Sequence, residues 1–308
     1  MKINSCLKNI IFIIILLLTN KIKPMECEIT KHVLQNNKPI RCPEFPNNKF
    51  TRENEDRDII NREWDKDIIY LGIYDGHGTS DTAEYLRNNL HSNILKIYQQ
   101  TNNLIRAINQ GFSQTNKEIL QDETIKNSGS CAIVAFILKD KIIIANCGDS
   151  RAVLGKNNQI IQLSNDHKIN NVNEQQRIIQ NNGLLNIVPA TTINPYTMNS
   201  HSDTTYKNQN WNTLAIARTF GDAMFVEPPM PAGCIIAEPE ITTYDLQGDE
   251  EFLILASDGL WDKIKNQKIY NIINLNQSKN TSEILATKAR QKGSADDITV
   301  ITLYFKRQ

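Results

Sequence analysis

The chain has 308 residues, 40% hydrophobic and 22% charged, which excludes a disordered segment and suffices for one domain with a substantial core, with room for a second small one. Lys and Arg total 34, as do Asp and Glu, so the formal net charge is zero and there is no bulk attraction to nucleic acid or to an acidic membrane surface.

In chain order, Lys2 and Lys8 precede an apolar run at residues 10–18, and Lys21 and Lys23 follow it. The run is shorter than the roughly 20 residues of a membrane span. Residues 1–24 therefore read as a signal peptide, with an N-terminal membrane anchor as the other reading. Either predicts a location in the secretory pathway, outside the cell or at a membrane, with a membrane tether through the N-terminus; a cytoplasmic location is the alternative. None of the six cysteines forms a C-x-x-C pair, which argues against a zinc or redox motif. Cys131 and Cys147 lie in apolar runs and read as buried thiols, whereas Cys27 and Cys42 would pair only in an exported chain.

Residues 25–50 carry Pro39, Pro43 and Pro46 and read as an irregular lead-in. Residues 67–75 read as a strand running into an acidic turn. Apolar residues at near-helical spacing predict helices over 80–99 and 104–120. The period then changes, predicting strands at 131–138, 141–147, 151–155 and 159–163, with hairpin turns at Asp140 and at Asn157-Asn158. A short helix is expected over 171–181, ending near Gly183. Residues 189–212 have no clear period and read as a long loop. A strand at 251–259, helices at 266–274 and 281–291 and a strand at 297–305 follow. The order of elements implies an α+β layered structure with helices packed outside sheets.

The chemical signal lies in acidic residues beside glycines at the ends of apolar strands: Asp75-Gly76, Gly148-Asp149, Gly221-Asp222 and Asp258-Gly259. Glu55-Asp56 precedes the first such strand and Asp296-Asp297 the last. A single Asp-Gly is ordinarily a turn. Several held together in one cleft repel one another unless a cation neutralises them, and hard oxygen ligands select Mg²⁺ or Mn²⁺ over Zn²⁺.

In order along the chain stand "NEDR" at 54–57, "DGHG" at 75–78, "SGSCA" at 128–132, "GDSRAVL" at 148–154, "LSNDHK" at 163–168, "LAIARTFGD" at 214–222, "AEPEI" at 237–241, "LASDGLWD" at 255–262 and "GSADDIT" at 293–299. On this ordered set the chain resembles the metal-dependent protein phosphatases, also called type 2C serine/threonine phosphatases, over about residues 50–305. The resemblance implies a central sandwich of two mainly antiparallel β-sheets flanked by α-helices, and a catalytic domain over 25–308 with a divergent loop at about 189–212. It implies hydrolysis of phosphoserine and phosphothreonine in a phosphorylated protein substrate by a hydroxide bridging two Mn²⁺ or Mg²⁺ ions, without a phosphoenzyme. It also implies a more labile third ion. Asp75 then resembles the bridging ligand, Gly76 a backbone ligand, Asp258 and Asp296 ligands of the first ion, Glu55 a ligand of the second, and Asp149 with Asp258 the holder of the third. Asp56 resembles the acid that orients metal-bound water, His77 the general acid for the leaving alkoxide, and Asp222 a supporting structural or substrate-side acid.

Two features depart from the family pattern. The arginine that pairs with substrate phosphate usually stands four places before the Glu of "NED"; here that place is Thr51 and the arginine is Arg52. Strand alternation turns neighbours to opposite faces, and only a bulge would restore the direction. The approach to "LAIARTFGD" is also unusual in composition. The displaced arginine keeps open a phosphatase-like regulatory or binding protein with weak or no catalysis. A phosphohydrolase of small molecules or nucleic acid is a further alternative, but no basic aromatic stripe supports nucleic-acid binding. A monomer is the default.

Overall fold

A computed structural model of the chain describes residues 27–35, 39–41, 49–51, 53–65, 67–187, 204–207, 213–228, 230–276 and 280–306. Strands β1 (Cys27–Leu34), β2 (Pro39–Arg41), β3 (Lys49–Thr51) and β4 (Arg57–Asp65) lead to β5 (Ile68–His77). Helices α1 (Asp81–Thr101) and α2 (Leu104–Gln121) follow, then β6 (Gly129–Ile137), β7 (Lys141–Cys147), β8 (Arg151–Lys156), β9 (Gln159–Gln162) and helix α3 (Val172–Gln180). Short strands β10 (Leu185–Ile187), β11 (Thr204–Lys207), β12 (Thr213–Leu214) and β13 (Phe220–Gly221) precede the single turn α4 (Ala223–Val226). Then come β14 (Glu240–Asp245), β15 (Glu250–Ala256), α5 (Asp258–Trp261), α6 (Ile269–Asn276), α7 (Thr281–Gln291) and β16 (Ile298–Phe305).

The strands form two main antiparallel sheets. One has the order β14-β7-β6-β5-β4, with β13 pairing β6; the other has the order β1-β16-β15-β8-β9. Strand alternation sends successive side chains of β5 to opposite faces. Leu71 and Ile73 meet Leu253, Leu255, Ile301 and Leu303 between the sheets. Tyr70 and Tyr74 face the other way, into a layer formed with Leu86, Leu90 and Ile94 of α1 and Ile108 and Phe112 of α2. On the far side of the second sheet, Phe252, Ile254 and Val300 pack against Tyr270 of α6 and Leu285 of α7. The result is the expected sandwich with helices outside both sheets. The continuous apolar runs of β6 and β7 and the apolar stripes of α1 and α2 dictate it, because the central strands have two apolar faces to bury.

Three expectations change. The lead-in over 25–50 contains an ordered strand, since β1 pairs β16 from Cys27↔Phe305 to Leu34↔Ile298. Its Thr30-Lys31-His32 stretch interrupts the apolar alternation, which hides the strand from a pattern reading. The strand expected over 251–259 stops at Ala256: Ser257 caps α5 in extended conformation, and Asp258 is already helical. The helix expected over 171–181 does form as α3 and ends near Gly183, whose N–H returns to the Ile178 carbonyl at 2.8 Å, with Asn182 left-handed at φ 62°. The long loop at 189–212 includes β11, which pairs β10 and β12; most of its other residues lie outside the described set. The Asn157-Asn158 turn is as expected, with φ of 50° and 60°, the pair of positive values that a tight hairpin needs.

Candidate metal centre

Both sheets deliver acids to one end of the sandwich. Asp75 sits near the end of β5, opposite Cys131 of β6. Asp149 lies in the turn between β7 and β8, and Asp258 opens α5 directly after β15. One carboxylate oxygen from each of the three lies within 4.8 Å of the others. The Asp258 N–H donates to Asp75 Oδ2 at 3.4 Å, and the Cys131 thiol donates to Asp149 Oδ1 at 3.2 Å. Burial, with Asp149 and Asp75 beside it, pushes that thiol well above its usual range, so it stays a donor. A Cβ at Gly76 would stand 2.5 Å from the Glu55 carbonyl oxygen, so a bare backbone here lets the Glu55 segment lie against the end of β5. Glu55 itself is buried, and its N–H donates to Asp297 Oδ2 at 2.9 Å. The buried Asp56 accepts on Oδ2 from Ser257 Oγ at 2.9 Å and from Thr299 Oγ1 at 2.7 Å.

Electrostatics match the geometry. Burial first, then Asp56, Asp258, Asp149 and Asp296, holds the Asp75 carboxyl well above the ordinary carboxylate range. Asp258 is raised likewise by burial and by Asp149, Asp296 and Asp262. Asp56 is pushed up to about 7, chiefly by burial, which outweighs the two hydroxyl donors; Asp297 and Asp296 add to the rise. Crowded, dehydrated carboxylates of this kind ionise together only if a cation joins them. An all-oxygen donor set suits a hard divalent ion, so the residues fit Mg²⁺ or Mn²⁺. One consequence is measurable without any metal. The folded chain keeps a proton on Asp56 that the unfolded chain has released above its ordinary value near 4. Stability of the metal-free protein is therefore expected to fall as pH rises from about 4 to about 7. Thermal unfolding in EDTA across that window checks this, and a rising melting temperature would contradict it.

Other residues of the motifs occupy distinct places. His77, at the end of β5, pairs through Nε2 with Asp222 Oδ2 at 2.7 Å. Asp222 is buried and adopts a left-handed φ of 53° directly after β13. Asp296 is exposed, lies outside the close set of three and accepts the Asp297 N–H at 2.9 Å. Thr51 ends β3, and Arg52 lies outside the described residues. Arg57 is bound elsewhere: it donates to Glu84 Oε2 at 2.5 Å and to the carbonyls of Asn54 and Asp56. His167 is buried and accepts the Gly148 N–H on Nδ1 at 3.2 Å; burial and the Arg218 charge pull it down to about 4, so it braces the Asp149 turn as a neutral ring. Two charged groups beside the cluster escaped the sequence reading. Lys168 Nζ stands 3.3 Å from Asp149 Oδ2 and 3.0 Å from Asp262 Oδ1. Lys168 lies in the quoted "LSNDHK" stretch and Asp262 in "LASDGLWD", but no local pattern links residues 94 places apart.

Comparison with known proteins agrees with this architecture. The family model described as Protein phosphatase 2C matches residues 41–298. The chain is 35% identical over 245 residues to "Probable protein phosphatase 2C 11" of Arabidopsis thaliana, covering 78% of this chain and 59% of that protein. It is 32% identical over 238 residues to "Probable protein phosphatase 2C 59" of the same plant, covering 76% and 69%. The chain thus spans about three fifths of the length of the first relative. Its fold superimposes on the crystal structure of serine-threonine phosphatase 2C from Toxoplasma gondii with a TM-score of 0.71 at 18% identity, covering 92% of this chain and 97% of that one.

The secretory or membrane location expected from the leader is corrected. The fold is shared with the Toxoplasma phosphatase, and among the described residues no helix is long and apolar enough to cross a membrane. Cys27, Cys131, Cys147 and Cys234 are free thiols, and the apolar run at 10–18 on which the expectation rested lies outside the described residues. Two facing sheets, three converging aspartates and a match running from residue 41 to residue 298 carry the same conclusion: the chain belongs to the protein phosphatase 2C family.

Proposed function

We propose that this protein is a divalent-metal-dependent phosphatase acting on phosphoserine and phosphothreonine in proteins. The observation that carries the reading is the convergence of Asp75, Asp149 and Asp258 on a space fit for a cation. In this reading Asp75, Asp258 and Asp296 would hold one Mn²⁺ or Mg²⁺ ion, Asp75 and Glu55 a second, with the Gly76 carbonyl a backbone ligand of one of the two, and Asp149 with Asp258 a more labile third. When bound, the ions supply Lewis-acid neutralisation of the phosphoryl group and a water activated for direct attack, with no phosphoenzyme. Asp56, fixed by Ser257 and Thr299, orients that water. His77 delivers a proton to the serine or threonine oxygen as it leaves, and Asp222 accepts from Nε2 and keeps the ring in place.

Gly129 gives this pairing a test that leaves the acidic cluster alone. A Cβ there would fall 2.0 Å from His77 Nε2 and 2.2 Å from Asp222 Oδ2. Gly129→Ala is expected to lower kcat by at least about tenfold, part of the 10²–10⁴ that a positioned acid contributes, with Mn²⁺ affinity unchanged. Wild-type kcat in that variant would remove His77 from the chemistry.

The second reading, a phosphatase-like regulatory or binding protein with weak or no catalysis, is favoured by the arginine displaced to Arg52 and by the exposure of Asp296 outside the close set. Hydrolysis of a phosphothreonine peptide by the full chain, with and without Mn²⁺, decides between them. Mn²⁺-dependent release of phosphate supports the enzyme. A folded, Mn²⁺-loaded protein that releases none from several phosphopeptides supports the binding protein.

A further inference from the structure

We infer that the Lys168 ammonium is a tethered counter-cation on the Asp149–Asp262 side of the acidic cluster, and that a divalent ion enters that outer position only by displacing it. The inference rests on the reading of the cluster as a divalent-metal centre. Lys168 Nζ lies 3.3 Å from Asp149 Oδ2 and 3.0 Å from Asp262 Oδ1, so it shares a carboxylate with the set of three that would hold the metal. A doubly charged ion on that carboxylate and an ammonium in the same contact repel one another, so the two occupants exclude each other.

The attachment of Lys168 is built for exchange. Its backbone is pinned on both sides: the His167 N–H donates to the Gly148 carbonyl at 2.9 Å, the Ala217 N–H to the His167 carbonyl at 2.7 Å and the Ile169 N–H to the Ala215 carbonyl at 2.9 Å. The stem therefore starts from a fixed point next to the Asp149 turn, while its four rotatable carbons remain free to swing. The side chain is 31% exposed, which gives the head a path to water. Two carboxylates within 3.3 Å of the head suit an ammonium rather than a neutral amine. Lys168 thus offsets part of the carboxylate repulsion when metal is scarce, and sets a threshold concentration for the most weakly held ion.

Calorimetric titration of the full chain with Mn²⁺ tests this, comparing wild type with Lys168→Met and Lys168→Arg. The expected result is a weakest binding step at least about tenfold tighter in Lys168→Met and unchanged in Lys168→Arg. The Met variant is also expected to melt lower than wild type in EDTA and to recover with Mn²⁺. A weakest step within twofold of wild type in Lys168→Met overturns the inference and leaves the metal centre standing. Absence of Mn²⁺ binding in all three proteins overturns both. Should the Met variant fail to fold, the ¹⁵N-ammonium resonance of Lys168 in wild type, assigned by its loss in Lys168→Arg, serves instead. Movement in step with the weakest Mg²⁺ binding supports the exchange; a fixed resonance up to saturation overturns it.

Discussion

Replacing Asp75 by asparagine is expected to lower Mn²⁺-dependent turnover by more than about a hundredfold, because loss of even an outer-sphere partner of a metal ligand costs roughly 10–100-fold. The same change is expected to raise the melting temperature of the metal-free protein. Asp75 faces Asp56, Asp149, Asp258 and Asp296, all of which raise it further after burial has done so. The folded metal-free chain must keep that carboxyl protonated where the unfolded chain ionises it; an amide of the same shape removes this cost and leaves the Asp258 N–H an acceptor. The opposite signs make the test informative. Turnover at saturating Mn²⁺ and unfolding in EDTA are measured on one preparation. A fall in both would place Asp75 in the architecture rather than the chemistry.

Glu174→Ala is expected to cost about 3–5 kcal/mol, the range for breaking one partner out of a buried ion network. For a domain of this size that is on the order of 10 °C in Tm. Glu174, on α3, is buried and accepts from Arg218 Nη2 at 2.7 Å and Nε at 3.2 Å, and from Arg177 Nη1. Arg177, on the same helix, also holds the carbonyls of Ala217 at 2.7 Å and Cys234 at 2.9 Å, so the Glu174–Arg177 pair ties α3 to two other segments. Burial opposes the charge of Glu174, but Arg218 and Arg177 keep its carboxyl below the ordinary range. The stabilisation it provides is therefore present above that range and lost as pH falls through it. Thermal unfolding of Glu174→Ala at neutral pH reads the loss, and a shift under a few degrees would mean the two arginines find other partners. Because the 217–218 segment leads to β13 and Asp222, turnover should fall as well.

Much of this was legible in the sequence. The runs that became β5 to β9 carry strict local patterns, and α1 and α2 carry apolar stripes, so sequence period alone identified their type. The acidic turns were legible because glycine marks where strands end. What stayed hidden has a physical cause in each case. β1 is an edge strand with half-buried side chains, so its apolar alternation is weak. The apolar residues of β4 sit at Ile59, Ile60 and Trp64, spaced to fit neither period. Asp258 reads as the end of a strand because the helical turn it opens has only four residues. Lys168 and Glu174 carry no local signal because their meaning lies in partners distant along the chain: Asp262 for one, Arg218 for the other.

The pairing of β1 with β16 has a consequence in time. β16 lies between β1 and β15 in the second sheet, yet its residues emerge from the ribosome after those of every other described strand. Until then β1 has no neighbour and β15 is an open edge on one side. The Thr299 hydroxyl that holds Asp56 and the Asp297 carboxylate that holds the Glu55 backbone arrive in the same final stretch. A nascent chain can gather Asp75 and Asp149 early, but it cannot seat Glu55 and Asp56 beside them. The acidic end of the sandwich is thus assembled last, and the growing polypeptide passes through synthesis with its cation-holding cluster incomplete.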